Sequence, residues 1–149
     1  MGPPAAGKST YAEELAQQGW IIVSPDAIRE LRGSAPGADH LDTFFLAYRK
    51  TEYALRHRRD VVFDSTALTE DVRRSLRKIA RKNSCAPHLV VVHASNRTCL
   101  TRNRKRLVPV PEEKMRAMLQ DYERQYPLTA RERWDSVRVI DGTRKPVPA

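Results

Sequence analysis

An α/β fold built around a mostly parallel sheet is predicted by three observations. Short apolar runs alternate with stretches of helical periodicity, each run has the length of a strand rather than a helix, and a glycine-rich turn near the amino end leads straight into a helix. The candidate strands are Trp20 to Ser24, Val61 to Asp64, His88 to Ala94 and Ser136 to Asp141.

The elements between them follow in order. Tyr11 to Gln18 forms the helix behind the glycine-rich turn. Leu41, Phe44, Phe45, Tyr48, Thr51 and Leu55 recur at helical spacing and are expected to pack into a core. Val72, Leu76, Ile79 and Ala80 do the same behind Thr69, an N-cap candidate with Glu70 and Asp71 in the first turn. Pro111 suits the start of a further helix, Glu112 and Glu113 complement its dipole, and Met115, Met118, Leu119 and Tyr122 make one apolar face. Residues 144–149, with two prolines, are read as the end of the domain.

The chain has 149 residues, 40% apolar and 30% charged, which fits one domain spanning 1–149 with a real core. No apolar run approaches the roughly 18 residues needed to span a membrane, so no membrane role is expected. Cys85 and Cys99 lack metal-type spacing and read as reduced thiols, which points to a cytoplasmic protein. The formal charge of +9 favours polyanions as partners and makes nucleic acid a natural one; no stable protein partner is predicted.

Gly2-Pro3-Pro4-Ala5-Ala6-Gly7-Lys8-Ser9-Thr10 meets the phosphate-binding loop G-x-x-x-x-G-K-[ST] at every fixed position. Glycines let such a loop turn its N–H groups inward on phosphate oxygens, and the helix behind it adds unpaired donors and a favourable dipole end. Gly2, Ala5, Ala6, Gly7, Lys8, Ser9 and Thr10 are therefore candidate nucleotide contacts, with Lys8 on the β/γ-phosphates and Ser9 on Mg²⁺. A chance match in a Gly/Pro-rich tail is the competing account. Such a loop normally follows a buried apolar strand, yet only Met1 precedes Gly2. The expectation is a domain truncated at its N-terminus, with the first strand missing.

In an open parallel sheet ligands collect at the carboxyl ends of the strands. After Ile21-Ile22-Val23 comes Ser24-Pro25-Asp26-Ala27-Ile28-Arg29, where Asp26 is a candidate general base and Arg29, on the same helical face, a candidate clamp for an anionic acceptor. An N-cap aspartate and a surface arginine would look the same. Asp64 ends the Val61 to Phe63 run and is a candidate Mg²⁺ partner, a capping role for Asp64, Ser65 or Thr66 being the alternative. From Arg97 to Arg106 no acid interrupts the positive charge. Arg102 and Arg106, four apart, are expected to share one face of a lid helix over the triphosphate, against a solvated basic face as the plain account.

Taken together, Gly2 to Thr10, Ser24 to Arg29, Asp64-Ser65-Thr66-Ala67-Leu68, Arg102-Asn103-Arg104-Lys105-Arg106 and Val110-Pro111 resemble the 5′-hydroxyl polynucleotide kinases of phage and bacterial nucleic-acid repair. The resemblance spans nearly the whole chain, and the S-x-D-x-x-R block with the R-N-x-x-R lid carries most of it. It implies a P-loop kinase-type three-layer fold with an arginine-rich lid, ATP and Mg²⁺ as cofactors, and nucleic-acid 5′ ends as acceptor. It further implies Asp26 as general base, Arg29 on the acceptor phosphate, Lys8 and Arg106 as catalytic residues, and Arg102 and Arg106 on the donor phosphates. The loop at Asp141-Gly142-Thr143 would approach the adenine base. Two other classes share the loop: small-molecule or protein kinases of gluconate, antibiotic or toxin type, and nucleotide-dependent nucleic-acid-binding modules.

Overall fold

A computed structural model describes residues 1–33 and 40–143. The described elements run α1 (Lys8–Gln17), β1 (Ile21–Val23), α2 (Pro25–Leu31), α3 (His40–Arg56), β2 (Val61–Phe63), α4 (Glu70–Lys82), β3 (His88–His93), α5 (Asn96–Arg104), α6 (Glu112–Gln125), a 3₁₀ turn (Tyr126–Arg131) and β4 (Ser136–Asp141). This is the predicted α/β alternation, with every strand where an apolar run lay. The tail at 144–149 lies outside the described residues. Among the described residues no helix is long and apolar enough to cross a membrane.

The strands form two parallel pairs. β1 lies beside β2 with Ile21 opposite Val61 and Val23 opposite Phe63, and β3 lies beside β4 with His88 opposite Ser136 and His93 opposite Asp141. Met1 and Gly2 sit between the pairs. The α-amino group of Met1 donates to the Val90 carbonyl at 2.7 Å, Val92 N donates to the Met1 carbonyl at 2.8 Å, and Gly2 N donates to the Thr66 carbonyl at 3.2 Å. Strand ends and phosphate loop thus share one edge of the molecule.

Local chemistry starts the helices. Ser24 is extended and its hydroxyl accepts from Ala27 N, while Pro25 takes the first helical position of α2. Ser95 caps α5 in the same way through Thr98 N. Thr69 does occupy the N-cap position of α4, without a side-chain bond.

Packing splits some of the predicted stripes. Met115, Leu119 and Tyr122 are buried as expected, the first two against Val92, Ala94 and Cys99. On α3 the Phe44 and Tyr48 rings meet Phe63 of β2, with centroids 6.4 and 5.9 Å away. Leu41 and Phe45, assigned to the same core stripe, are exposed instead. Thr43 and Ala47 of α3 are buried in their place, Ala47 in a cluster with Val23 and Ile28. On α4 the fully buried residue is not one of the apolar stripe but Arg73.

Candidate active site

The loop from Gly2 to Gly7 is shaped by backbone that only small residues tolerate. Gly2 and Gly7 have φ of 153° and 108°, and a Cβ on Gly2 would stand 2.4 Å from the Val92 carbonyl oxygen. Ala5, at φ 60°, holds the left-handed region between them. Tyr11 N makes the first helical bond, to Gly7 O, so the N–H groups of Lys8, Ser9 and Thr10 have no helical partner. Gly7 offers α1 no capping side chain and its first turn carries no acid. An anion fits there by dipole and by donor count.

Lys8 lies over this loop, its ammonium donating to the Pro3 carbonyl at 2.7 Å. Burial pushes its pKa down to about 8, against Asp64 and Asp26, which favour the charged form, and with Arg106 acting in the same direction as burial. Four of the predicted site residues are therefore within electrostatic reach of one another. The Ser9 hydroxyl donates to Asp64 Oδ2 at 2.7 Å across 55 residues of sequence. A hydroxyl and a carboxylate so placed fit Mg²⁺, a hard cation that takes few protein oxygens and completes its shell with phosphate and water. No group of three or more His, Cys, Asp or Glu capable of holding a metal occurs among the described residues.

Asp26 stands in the first turn of α2, two residues after the capping Ser24. The capping role is therefore taken, and Asp26 is free for another. Arg29 Nη1 donates to its Oδ1 at 2.5 Å, as their spacing predicted; the Asp26 side chain is 80% exposed and that of Arg29 17%. Arg29 Nε is buried, with no hydrogen-bond partner among the described residues. Capping is likewise no role for Asp64, Ser65 or Thr66, because α4 begins only at Glu70.

The two lid arginines do not share a helix face. α5 ends at Arg104, and Arg106 lies in the turn beyond it. Asn103 is the cause: its side chain donates to the Val110 carbonyl at 2.7 Å and accepts from Val110 N at 3.0 Å, folding the chain back before another turn can form. Arg102 reaches the phosphate loop from behind. Its Nη1 donates to the Gly142 carbonyl at 2.8 Å, with the Ala5 and Ala6 carbonyls at 3.4 Å.

The loop at Asp141-Gly142-Thr143 is expected after the last strand and near the adenine base; in the structure Gly142 packs directly on the phosphate loop. A Cβ there would stand 1.8 Å from the Ala6 carbonyl oxygen. The D-G-T triplet was the available signal; what it packs on is not written locally. The preceding Asp141 accepts from Thr143 N at 2.8 Å and from its hydroxyl at 2.6 Å, closing the turn.

Residues 1–125 match the family model described as an AAA domain. No curated protein sequence matches the chain. Among solved structures, a gluconokinase from Sinorhizobium meliloti is 20% identical with a TM-score of 0.61, over 97% of this chain and 81% of that one. A candidate kinase from Chloroflexus aurantiacus is 16% identical with a TM-score of 0.71, over 95% and 83%. A deoxyadenosine kinase from M. mycoides is 16% identical with a TM-score of 0.55, over 97% and 89%.

Proposed function

The chain belongs to the AAA domain family and has a P-loop kinase fold, and we propose that it is an ATP-dependent kinase of polynucleotide 5′-hydroxyl ends. The observation that carries this reading is the Asp26–Arg29 pair opening α2 at the carboxyl end of β1, within electrostatic reach of Lys8. A base beside an anion clamp is what a hydroxyl flanked by a phosphate needs.

ATP with Mg²⁺ supplies the phosphoryl group and neutralises its charge. Lys8 and the N–H groups opening α1 would bind the phosphates, and Ser9 and Asp64 would hold the metal. Asp26 would accept the proton of the acceptor hydroxyl as its oxygen attacks the γ-phosphorus of ATP and the bond to the β,γ-bridging oxygen breaks, ADP leaving. Arg29 would grip the neighbouring acceptor phosphate through its guanidinium. Arg106 offsets charge on the transferring group, while Arg102 braces the phosphate loop. The +9 charge assists capture of a polyanion.

A small-molecule kinase is the second reading, and the likeness to a gluconokinase and a deoxyadenosine kinase favours it equally. One experiment separates them: transfer from γ-labelled ATP to a nucleoside with and without a 3′-phosphate, and to an oligonucleotide, by wild type and Arg29→Ala. The polynucleotide reading expects strong preference for the 3′-phosphorylated acceptors, weakening with salt, and loss of roughly 10- to 100-fold of that preference in Arg29→Ala, as for a charge-assisted hydrogen bond worth about 1.5–3 kcal/mol. Equal use of both nucleosides by wild type moves the assignment to a small acceptor.

A further inference from the structure

Asp64 opens a stretch of chain between β2 and α4 that is neither helix nor strand. Backbone bonds tie this stretch down: Asp64 N donates to the Val23 carbonyl at 2.9 Å, the Thr66 carbonyl accepts from Gly2 N at 3.2 Å, and the Ala67 carbonyl accepts from Arg73 Nη1 at 2.8 Å. The first two anchors are a strand and the phosphate loop. The third is a side chain, fully buried and reaching back from α4. It grips the chain where a grip is needed, since Ala67 has a φ of 47°, a left-handed conformation that a non-glycine residue keeps only where its surroundings hold it.

The guanidinium is itself held in place. Arg73 Nε and Nη2 donate to the Glu132 carboxylate at 2.9 and 2.7 Å, Nη2 donates to Gln125 Oε1 at 3.0 Å, and Glu132 is steadied in turn by the Trp134 indole at 2.9 Å and by Arg77. Arg77 lies over the Trp134 ring, 5.0 Å from its centroid. Packing alone does not call for such a cluster, because apolar side chains would fill the same space without desolvating two charges. What they would not supply is the donor to Ala67. We infer that Arg73, braced by Glu132, is a positioning residue for the metal: through Ala67 it sets the segment that carries Asp64, so that the carboxylate meets the Ser9 hydroxyl at 2.7 Å. This role rests on the proposed hold of Ser9 and Asp64 on Mg²⁺. That ion demands near-octahedral geometry, so a carboxylate freed of one anchor binds it less well. Partners that orient a metal ligand from behind are typically worth about 10- to 100-fold in metal affinity.

The experiment measures ATP affinity by titration calorimetry, once with Mg²⁺ and once with a chelator in its place, and compares the ratio of the two affinities across four proteins: wild type, Arg73→Met/Glu132→Leu, Arg77→Met and Asp64→Asn. The double variant removes the donor to Ala67 and both charges together, so neither Arg73 nor Glu132 is left buried without its counter-ion. Its ratio is expected to fall about 10- to 100-fold, toward that of Asp64→Asn. Its metal-free affinity is expected to stay near wild type, since Lys8 and the N–H groups opening α1 are untouched. Arg77→Met takes an ion pair from the same Glu132 without touching Ala67, and is expected to lower the melting temperature and leave the ratio unchanged. An unchanged ratio in the double variant, or an equal fall in Arg77→Met, overturns the positioning role and leaves the metal assignment standing. Equal affinities with and without Mg²⁺ in wild type, or no change in Asp64→Asn, overturn the metal assignment and the positioning role with it. If the double variant does not fold, Arg73→Lys is judged by the same criteria: it keeps the charge beside Glu132, but a compact ammonium does not span Glu132 and Ala67 as the planar fork does.

Discussion

The Arg73 guanidinium, fully buried on α4, meets the Glu132 carboxylate at 2.7 Å from a position 59 residues earlier in the chain. The same guanidinium donates to the Ala67 carbonyl at 2.8 Å and to Gln125 at 3.0 Å, and Glu132 also receives Arg77 and, at 2.9 Å, the Trp134 indole. One ion pair thus ties the loop that follows Asp64 to the segments after α6. Burial alone would raise the Glu132 carboxyl, but hydrogen bonds from Arg73 and Trp134 and the charges of Arg73 and Arg77 hold it below its ordinary value.

Glu132→Gln strips the charge from this cluster and leaves a buried guanidinium short of its counter-ion, which costs about 3–5 kcal/mol for a pair of this kind. Arg73→Met combined with Glu132→Leu removes both charges and is expected to lose less than either single change. Urea unfolding of Arg73→Met, Glu132→Leu and the double variant checks this; additive losses would show that the pair is not coupled.

Asp26→Asn preserves size and leaves the Ser24 cap of α2 untouched. Loss of a general base costs about 10²- to 10⁴-fold in rate. Turnover at saturating ATP is expected to fall by that factor while the melting temperature stays near wild type. A rate within a few-fold of wild type removes Asp26 from the chemistry.

Gly142→Ala forces a methyl to within 1.8 Å of the Ala6 carbonyl oxygen and 2.8 Å of Val92 Cγ1, so the phosphate loop must shift. A displacement of about 1 Å at a reacting site can cost on the order of 10²-fold, and nucleotide affinity by titration calorimetry is the readout. Gly19→Ala is the control: its backbone is left-handed, at φ 94°, and a Cβ there would meet nothing within 4 Å outside its chain neighbours. It should lower stability and leave nucleotide affinity alone.

Stability should rise with pH between about 5 and 8. The α-amino group of Met1 is pushed from 8.0 to about 5, first by burial and then by Lys8 and Arg73, with Asp64 opposing. In that window the unfolded chain holds a proton that the folded chain has lost, so unfolding becomes harder as pH increases. Lys8, pushed from 10.5 to about 8 by burial, extends the rise above pH 8. Urea midpoints from pH 5 to 9 measure the slope, and acetylating the amino terminus should remove the part below pH 8. A flat profile would show that neither group is buried in solution.

Much of this molecule was legible because its signals are local. The strand runs, the phosphate loop and the i, i+3 relation of Asp26 and Arg29 depend on residues a few positions apart, and periodicity and turn chemistry carry that information directly. Ser9 and Asp64 were both named as metal partners, since each follows a recognisable pattern, and the fold brings them to 2.7 Å.

Other features depend on partners distant in sequence, and only the tertiary structure decided them. Arg102 and Arg106 are four apart and would share a helix face, but the Asn103 side chain finds Val110 and ends the helix between them. Leu41 and Phe45 carry the right spacing for a core yet face outward, because β2 receives only the flank of α3 that bears Phe44 and Tyr48. Arg73 reads as one more charge on a basic helix until Glu132 arrives to pair with it. By itself the sequence determined where the chain bends, coils and extends, and which residue types line its turns. Which of those residues became core, clamp or brace was set by long-range contacts, since burial and pairing energies depend on what the fold brings alongside.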